Sequence, residues 1–175
     1  MTETYIGIGS NLGDRSGYIT RALTLMSKKL DIKAISSPYE TEPEGYREQP
    51  DFLNTVVKAE TGMSARDLLK FLKSIEEKLG RRPSFPNAPR EIDLDILFFG
   101  DSVIEQLDLF IPHPRLHTRA FMLVPLMELN PELAHPALHK TVKELLDELG
   151  FRSRVRKAGR IVFKKVGESY VYDFG

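Results

Sequence analysis

The chain contains no cysteine, which excludes disulfides, thiolate metal ligands and a thiol nucleophile, and accords with a reducing compartment. It has no excess of charge of either sign. Its 25 basic residues balance its 25 acidic ones, so no global field draws in nucleic acid or an anionic membrane, and any affinity for phosphate has to be local. No apolar run approaches the roughly 18 residues of a membrane span, and the N-terminus enters a strand pattern without an apolar leader. These absences set the expectation of a cytoplasmic protein with neither membrane nor nucleic-acid partner. Two nucleotide signatures are missing as well. In Gly7-Ile8-Gly9-Ser10-Asn11-Leu12-Gly13 the third glycine falls one residue too late for a dinucleotide fingerprint, and no Gly-Lys-Ser or Gly-Lys-Thr loop occurs anywhere. If ATP binds, it binds through arginines and metal. A length of 175 residues has room for a single domain with a sizeable core.

What is present centres on Asp93 and Asp95, held in the run Arg90-Glu91-Ile92-Asp93-Leu94-Asp95-Ile96-Leu97-Phe98-Phe99 before Gly100. The run reads as a buried strand, and because strand side chains alternate, the two carboxylates share one face while Ile92, Leu94 and Ile96 point into a core. Carboxylates whose Cα atoms stand about 7 Å apart repel in a low dielectric unless a cation sits between them. Hard oxygen ligands with few other protein donors suit Mg²⁺, which takes its remaining ligands from water and substrate phosphates. The alternative is a half-exposed strand with two solvent-side aspartates.

Around this strand the pattern alternates sheet and helix. Thr4–Gly9 reads as a strand, followed by a helix with Tyr18, Ala22, Leu25 and Met26 on one face. Ile32–Tyr39 reads as a second strand, 42–51 as a Pro-, Gly- and Glu-rich loop, and Phe52–Glu60 as a third strand. Ser64 and Asp67 resemble a helix start, and Leu68, Leu69, Leu72, Ile75 and Leu79 carry a stripe closed by Gly80. Arg81–Pro89, with three prolines, reads as irregular. So does the chain after Gly100-Asp101, as far as Pro112-His113-Pro114. Short helices are predicted over Arg119–Glu128 and Thr141–Leu149, the latter with Thr141 and Glu144 spaced as a capping box. The order strand, helix, strand, strand, helix, strand predicts an α+β sandwich with a mostly antiparallel sheet.

Arg81, Arg82, Arg90, Arg115 and Arg119 flank the aspartate strand in sequence, and the planar guanidinium fork matches phosphate oxygens. His113 lies among them and is read as a donor to a phosphate. The His113/His117 and His135/His139 pairs have a zinc-like spacing but lack a third ligand. Phe52 and Asn54 project from one strand face, a stacking surface beside an amide that both donates and accepts, which is what a flat heterocycle needs.

Taken together, Ile8-Gly9-Ser10-Asn11-Leu12-Gly13, Ser37-Pro38-Tyr39-Glu40-Thr41-Glu42-Pro43, Gln49-Pro50-Asp51-Phe52-Leu53-Asn54, Ile75-Glu76 with Gly80-Arg81, Pro89–Leu97, and Ile111-Pro112-His113-Pro114-Arg115 through Arg119–Leu123 resemble the 6-hydroxymethyl-7,8-dihydropterin pyrophosphokinases of folate biosynthesis. The resemblance covers about 150 residues in family order. It implies a ferredoxin-like α+β fold and transfer of pyrophosphate from ATP to the pterin hydroxymethyl group, with release of AMP. It implies two Mg²⁺ ions on Asp93 and Asp95. The pterin would lie between Phe52 and Phe121, its edge read by Asn54, Thr41 and the backbone near Gly45. ATP would meet Glu76, Arg81, Arg90, His113 and Arg119, with Arg81 and Arg90 counted beside the two aspartates in catalysis.

Family members often carry an aromatic residue and Gly-Pro-Arg ahead of the aspartate strand, where this chain has Asn87-Ala88-Pro89-Arg90. Glu42 and Glu44 place negative charge in the pterin-side loop with no assigned role. The whole of 1–175 is read as one catalytic domain, a family-like core over 1–150 and an extension over 151–175. There Arg152, Arg154 and Arg156 alternate, as do Tyr170, Tyr172 and Phe174, around a turn at Ala158-Gly159, which predicts a β-hairpin. Two other readings remain open at this level: a two-metal nucleotidyltransferase or cyclase on the same kind of sheet, and a non-catalytic small-molecule-binding module.

Overall fold

The computed structural model describes residues 1–150, 154–167 and 169–175. In chain order the core elements are β1 (Thr2–Ser10), α1 (Arg15–Met26), β2 (Asp31–Ile35), β3 (Tyr39–Thr41), β4 (Phe52–Thr61), α2 (Ala65–Lys78) and β5 (Asp93–Phe99). They are followed by the short strands β6 (Ile104–Gln106) and β7 (Leu109–Ile111), α3 (Ala120–Leu129), β8 (Ala134–His135), β9 (Lys140–Thr141) and α4 (Val142–Leu149). The chain then ends in β10 (Val155–Lys157), β11 (Ile161–Val166) and β12 (Ser169–Phe174).

The main sheet runs β10-β3-β4-β1-β5, with β2 joining the C-terminal half of β4. Every pairing in it is antiparallel. Alternation sorts the strands onto two cores. Ile6, Ile8, Leu53, Val57, Leu94 and Ile96 pack against Ile19, Ala22, Leu23 and Met26 of α1 and Leu68, Leu72 and Ile75 of α2. Tyr5, Val56 and Leu97 pack on the opposite face against Met122, Leu123 and Leu126 of α3 and Val142 and Leu145 of α4. The result is the ferredoxin-like α+β sandwich, with α3 and α4 as a further layer on the second face.

Helix starts follow local chemistry. The Asp14 and Ser64 side chains accept from backbone N–H groups three residues on, and Thr141 and Glu144 form the reciprocal capping box that their spacing predicts. Helix α3 has no side-chain cap, since Arg119 stands at its N-terminus and a guanidinium has no acceptor for the free N–H groups.

Three local expectations change. The predicted strand Ile32–Tyr39 is two strands, interrupted where Pro38 lacks an N–H and Ser36 turns inward, its hydroxyl 2.9 Å from that of Thr55. The stretch after Gly100 is not wholly irregular, since β6 and β7 pair as a small hairpin. In the C-terminal extension the basic segment does not pair with the tyrosine segment. Val155–Lys157 adds to the edge of the main sheet beside β3, while β11 and β12 form the hairpin, with Gly167 at its turn and Tyr172 buried in the α1 core. Arg152 lies outside the described residues.

Replacing Thr141 by Ala removes one half of the capping box far from the sheet's glycine-rich end. It is expected to lower stability by about 1 kcal/mol in urea unfolding, and an unchanged midpoint would show that α4 does not depend on its cap.

Candidate active site

The site lies on the α3 face of the sheet, where β1 runs between β4 and β5. Gly9 is opposite Asn54 on one side and Asp93 on the other, and Gly7 is opposite Val56 and Asp95. These two glycines leave the middle of the sheet bare. A methyl group on Gly9 would collide with Asn54 Oδ1. Above this floor is a cavity of about 230 Å³, walled by Asp93 and Asp95, by Phe52 and Asn54 from β4, and by Phe121 and Arg119 at the start of α3. His113, Arg90, Thr41 and Glu44 also reach it.

The acidic wall is held from behind. Glu76, buried in α2, accepts from the backbone N–H of Leu94 at 2.8 Å and from Arg81 at 2.8 Å. This fixes the strand segment between the two aspartates. The Asp93 carboxylate accepts from Arg90 at 3.0 Å and faces Arg81 at 3.7 Å. No arginine or lysine lies within ion-pair distance of Asp95 among the described residues. Its enclosure, followed by the Asp93 and Glu76 carboxylates, pushes its carboxyl up to about 8. A half-buried carboxylate pair short of cations on one member is an arrangement that a divalent ion would relieve. Among the described residues no group of three or more His, Asp or Glu side chains is placed to close around an ion, so any ion bound here would take its remaining ligands from outside the protein.

On the cationic wall, the buried Arg119 Nε forms an ion pair with Glu44 Oε2 at 2.8 Å, without the alignment of a hydrogen bond. The Arg119 guanidinium also stands 5.5 Å from the centre of the Phe121 ring. Arg115 is 3.9 Å from the same Glu44. Burial and then the positive charge of Arg119 hold His113 down to about 4, so it is neutral at pH 7. Its Nδ1 accepts from the Arg115 N–H at 3.2 Å, which leaves the proton on Nε2 as a donor.

The other end of the cavity suits a flat polar ring. Asn54 donates to Thr41 Oγ1 at 2.7 Å, with Phe52 two residues away on the same face. Gly45 adopts φ +74°, and a Cβ there would stand 2.6 Å from Asn87 Nδ2, so its backbone passes tightly against the loop ahead of β5. Glu76, Arg81 and Arg82 line an adjacent cavity of about 350 Å³, which shares Arg90 with the first.

This geometry agrees with the comparisons to known proteins. A family model described as 7,8-dihydro-6-hydroxymethylpterin-pyrophosphokinase matches residues 5–131. The chain belongs to this pyrophosphokinase family. It is 42% identical over 148 residues to a 2-amino-4-hydroxy-6-hydroxymethyldihydropteridine pyrophosphokinase of Aquifex aeolicus, covering 85% of this chain and 92% of the relative. It is 38% identical over 157 residues to the Bacillus subtilis protein of the same name, covering 89% and 92%. A folic acid synthesis protein of Schizosaccharomyces pombe is 45% identical over 147 residues, which make up 83% of this chain and 20% of that longer protein. In fold it matches a Plasmodium falciparum HPPK-DHPS structure with pterin and p-hydroxybenzoate at a TM-score of 0.68 and 20% identity, over 85% of this chain and 42% of the other.

Within this pyrophosphokinase-family chain, Asp93, Asp95, Phe52, Asn54, Thr41, Phe121, Arg90, His113 and Arg119 converge on one cavity. Arg81 and Glu76 stand behind the aspartates, and the wall near Gly45 is made by Glu44. Sequence reasoning missed Asn11. Buried at the end of β1, it donates to Gln49 and to the Pro50 carbonyl and accepts from the Arg90 N–H at 2.7 Å. It thereby ties the loops on the two sides of the cavity together. Its place directly after Gly9-Ser10 was the available signal.

The raised Asp95 value gives a pH test on metal-free protein. The proton held by folded Asp95 favours the native state below the ordinary carboxylate range, and that stability is lost as pH rises through about 8. Asn cannot ionise. In EDTA, Asp95→Asn is therefore expected to exceed the parent's Tm by a margin that grows from pH 5 to pH 9, by about 2–4 °C per kcal/mol of relieved repulsion. A Tm difference independent of pH would contradict the assignment.

Proposed function

We propose that the cavity binds 6-hydroxymethyl-7,8-dihydropterin at its Phe52–Asn54–Phe121 end and the ATP phosphates between the aspartates and Arg90, His113 and Arg119. The reaction of this family is transfer of pyrophosphate from ATP to the pterin hydroxymethyl group with release of AMP, a step of folate synthesis. The observation that carries the reading here is the juxtaposition, in one cavity, of a stacking and hydrogen-bonding surface with a paired-carboxylate wall and the cationic side chains of Arg90 and Arg119.

Phe52 and Phe121, one from the sheet and one from the helix above it, offer ring faces to the heterocycle, and Asn54 and Thr41 offer polar atoms to its edge. The hydroxymethyl oxygen would attack the β-phosphorus, and the bond from that phosphorus to the oxygen bridging to the α-phosphate would break, leaving AMP. Asp93 and Asp95 would hold two Mg²⁺ ions, which when bound supply charge neutralisation across the phosphates and in-line alignment. Arg119 and Arg90 would take non-bridging phosphate oxygens, and neutral His113 would donate from Nε2. Arg81, through Glu76 and Asp93, would keep the carboxylates aimed into the cavity. Catalysis is then mostly positioning and electrostatics.

Glu44 stands in the free protein where an anion would meet Arg115 and Arg119, so phosphate binding displaces a carboxylate already in place. Residues 1–175 are taken as one catalytic domain acting in the cytoplasm. No helix among the described residues is long and apolar enough to cross a membrane. The nucleotidyltransferase and the non-catalytic module have no observation in their favour beyond the shared sheet.

Incubation with Mg²⁺, ATP and the hydroxymethyl pterin, followed by chromatography of the nucleotides, is expected to yield AMP in step with pterin consumption. EDTA should abolish it, and Asp95→Ala should lower turnover by more than about a hundredfold. Release of ADP or free pyrophosphate instead, or full activity of Asp95→Ala, would overturn the reading.

A further inference from the structure

We propose that Arg154 and Arg156, in the C-terminal extension, are positioning residues whose guanidinium groups hold the far end of the 42–51 loop at Asp51 and the strand leading into it at Glu40, and thereby set the pterin end of the cavity. The inference rests on the assignment of that end to the pterin.

The family model matches residues 5–131, and β10 lies well past it. Strand β3 has three residues and would be an edge without it. Pairing places Val155 opposite Thr41, Arg156 opposite Glu40 and Lys157 opposite Tyr39, while β3's other side pairs Tyr39 with Asn54 and Thr41 with Phe52. The extension is thus one strand removed from the residues proposed to grip the heterocycle.

Its backbone meets the start of the following loop, and its guanidinium groups hold the far end and the strand before it. At the start, the Arg154 N–H donates to Glu42 Oε1 at 3.3 Å and its carbonyl accepts from the Glu42 N–H at 3.4 Å. At the far end, its guanidinium pairs with the Asp51 carboxylate, directly before Phe52. Arg156 donates to Glu40 Oε2 at 2.9 Å. Arg15 of α1 takes the other Glu40 oxygen at 2.8 Å and the Asp51 carbonyl at 3.0 Å. These two arginine contacts hold Glu40 below its usual range. Between these anchors the loop carries Glu42 and Glu44 into the cavity wall.

The same pairing argues against the extension as a landing strip for ATP. The positive charge of Arg154 is matched by Asp51, Arg156 shares Glu40 with Arg15, and Lys157 lies 3.8 Å from Glu128. The exposed ends of these ion pairs make them individually weak and screened by salt. The effect is therefore on the placement of a loop and not on whether the domain folds.

The test compares the full-length parent, Arg154→Ala/Arg156→Ala, and Arg154→Lys/Arg156→Lys. KM for the pterin is measured at saturating ATP and KM for ATP at saturating pterin, at low and high salt, with hydrogen exchange of the free proteins alongside. AMP formation by the parent tests the underlying assignment separately. The Ala pair is expected to raise the pterin KM by about five- to tenfold, the scale of two exposed ion pairs, with kcat and the ATP KM within about twofold of the parent. Amides in 42–51 should exchange faster in it, and the Lys pair should restore most of the difference. Salt should raise the parent's pterin KM toward that of the Ala pair, whose own value should barely move. An unchanged pterin KM, with or without faster loop exchange, would overturn the proposal. A rise confined to the ATP KM would replace it with electrostatic capture of the nucleotide.

Discussion

Gly9 stands between Asn54 on one neighbouring strand and Asp93 on the other, and the site exists because β1 contributes backbone and no side chain at that point. Antiparallel register puts the polar edge of β4 and the acidic edge of β5 on the same face of the sheet, with bare Gly7 and Gly9 between them. A larger residue would fill the space that the proposed reaction needs, and at Gly9 it would also collide with the Asn54 amide. The rest of the structure keeps that gap usable. Helix α3 lays Phe121 and Arg119 over it, while Asn11, at the end of the same strand, ties Gln49 and Arg90 across its mouth.

Charge is distributed unevenly around this gap. Glu76 is neutralised by Arg81 and a backbone N–H, and Asp93 by Arg90 and Arg81. Asp95 has no cation within ion-pair distance among the described residues. Across the cavity Arg119 is paired with Glu44 at 2.8 Å, although its buried Nε makes no aligned hydrogen bond. An anionic substrate arriving with divalent cations would relieve the acidic wall and take over Arg119 by displacing Glu44. The native state tolerates the imbalance because two apolar cores, one on each face of the sheet, hold the strands in place.

Much of this was legible in the sequence. The alternation around Asp93 and Asp95 gave both the strand and its two faces, and Ser64 and Thr141 marked helix starts that the structure keeps. Face assignment was less exact in α1, where Ile19 and Leu23 are buried and Tyr18 and Leu25 lie at the margin, because a one-residue shift rotates a helix by only about 100°. Pro38 signalled the break between β2 and β3, but Ile32–Tyr39 read as one strand. The long-range partners of charged residues were not legible. Nothing local in Arg154 or Arg156 distinguishes a solvated basic strand from one bound to Asp51 and Glu40, and Glu44 gave no sign that it would meet Arg119. Such contacts depend on which loops the fold brings together, and sequence periodicity carries no record of that.

Asp93 and Asp95 are proposed as the protein's share of a two-cation site completed by nucleotide phosphates. This assignment is tested most directly by titrating Mn²⁺ into the protein with a non-hydrolysable ATP analogue and counting bound ions by electron paramagnetic resonance, which needs no turnover. The account predicts two ions per chain in the parent, depending on the nucleotide, and loss of at least one in Asp95→Asn. The parent's full stoichiometry and affinity persisting in that variant would contradict it.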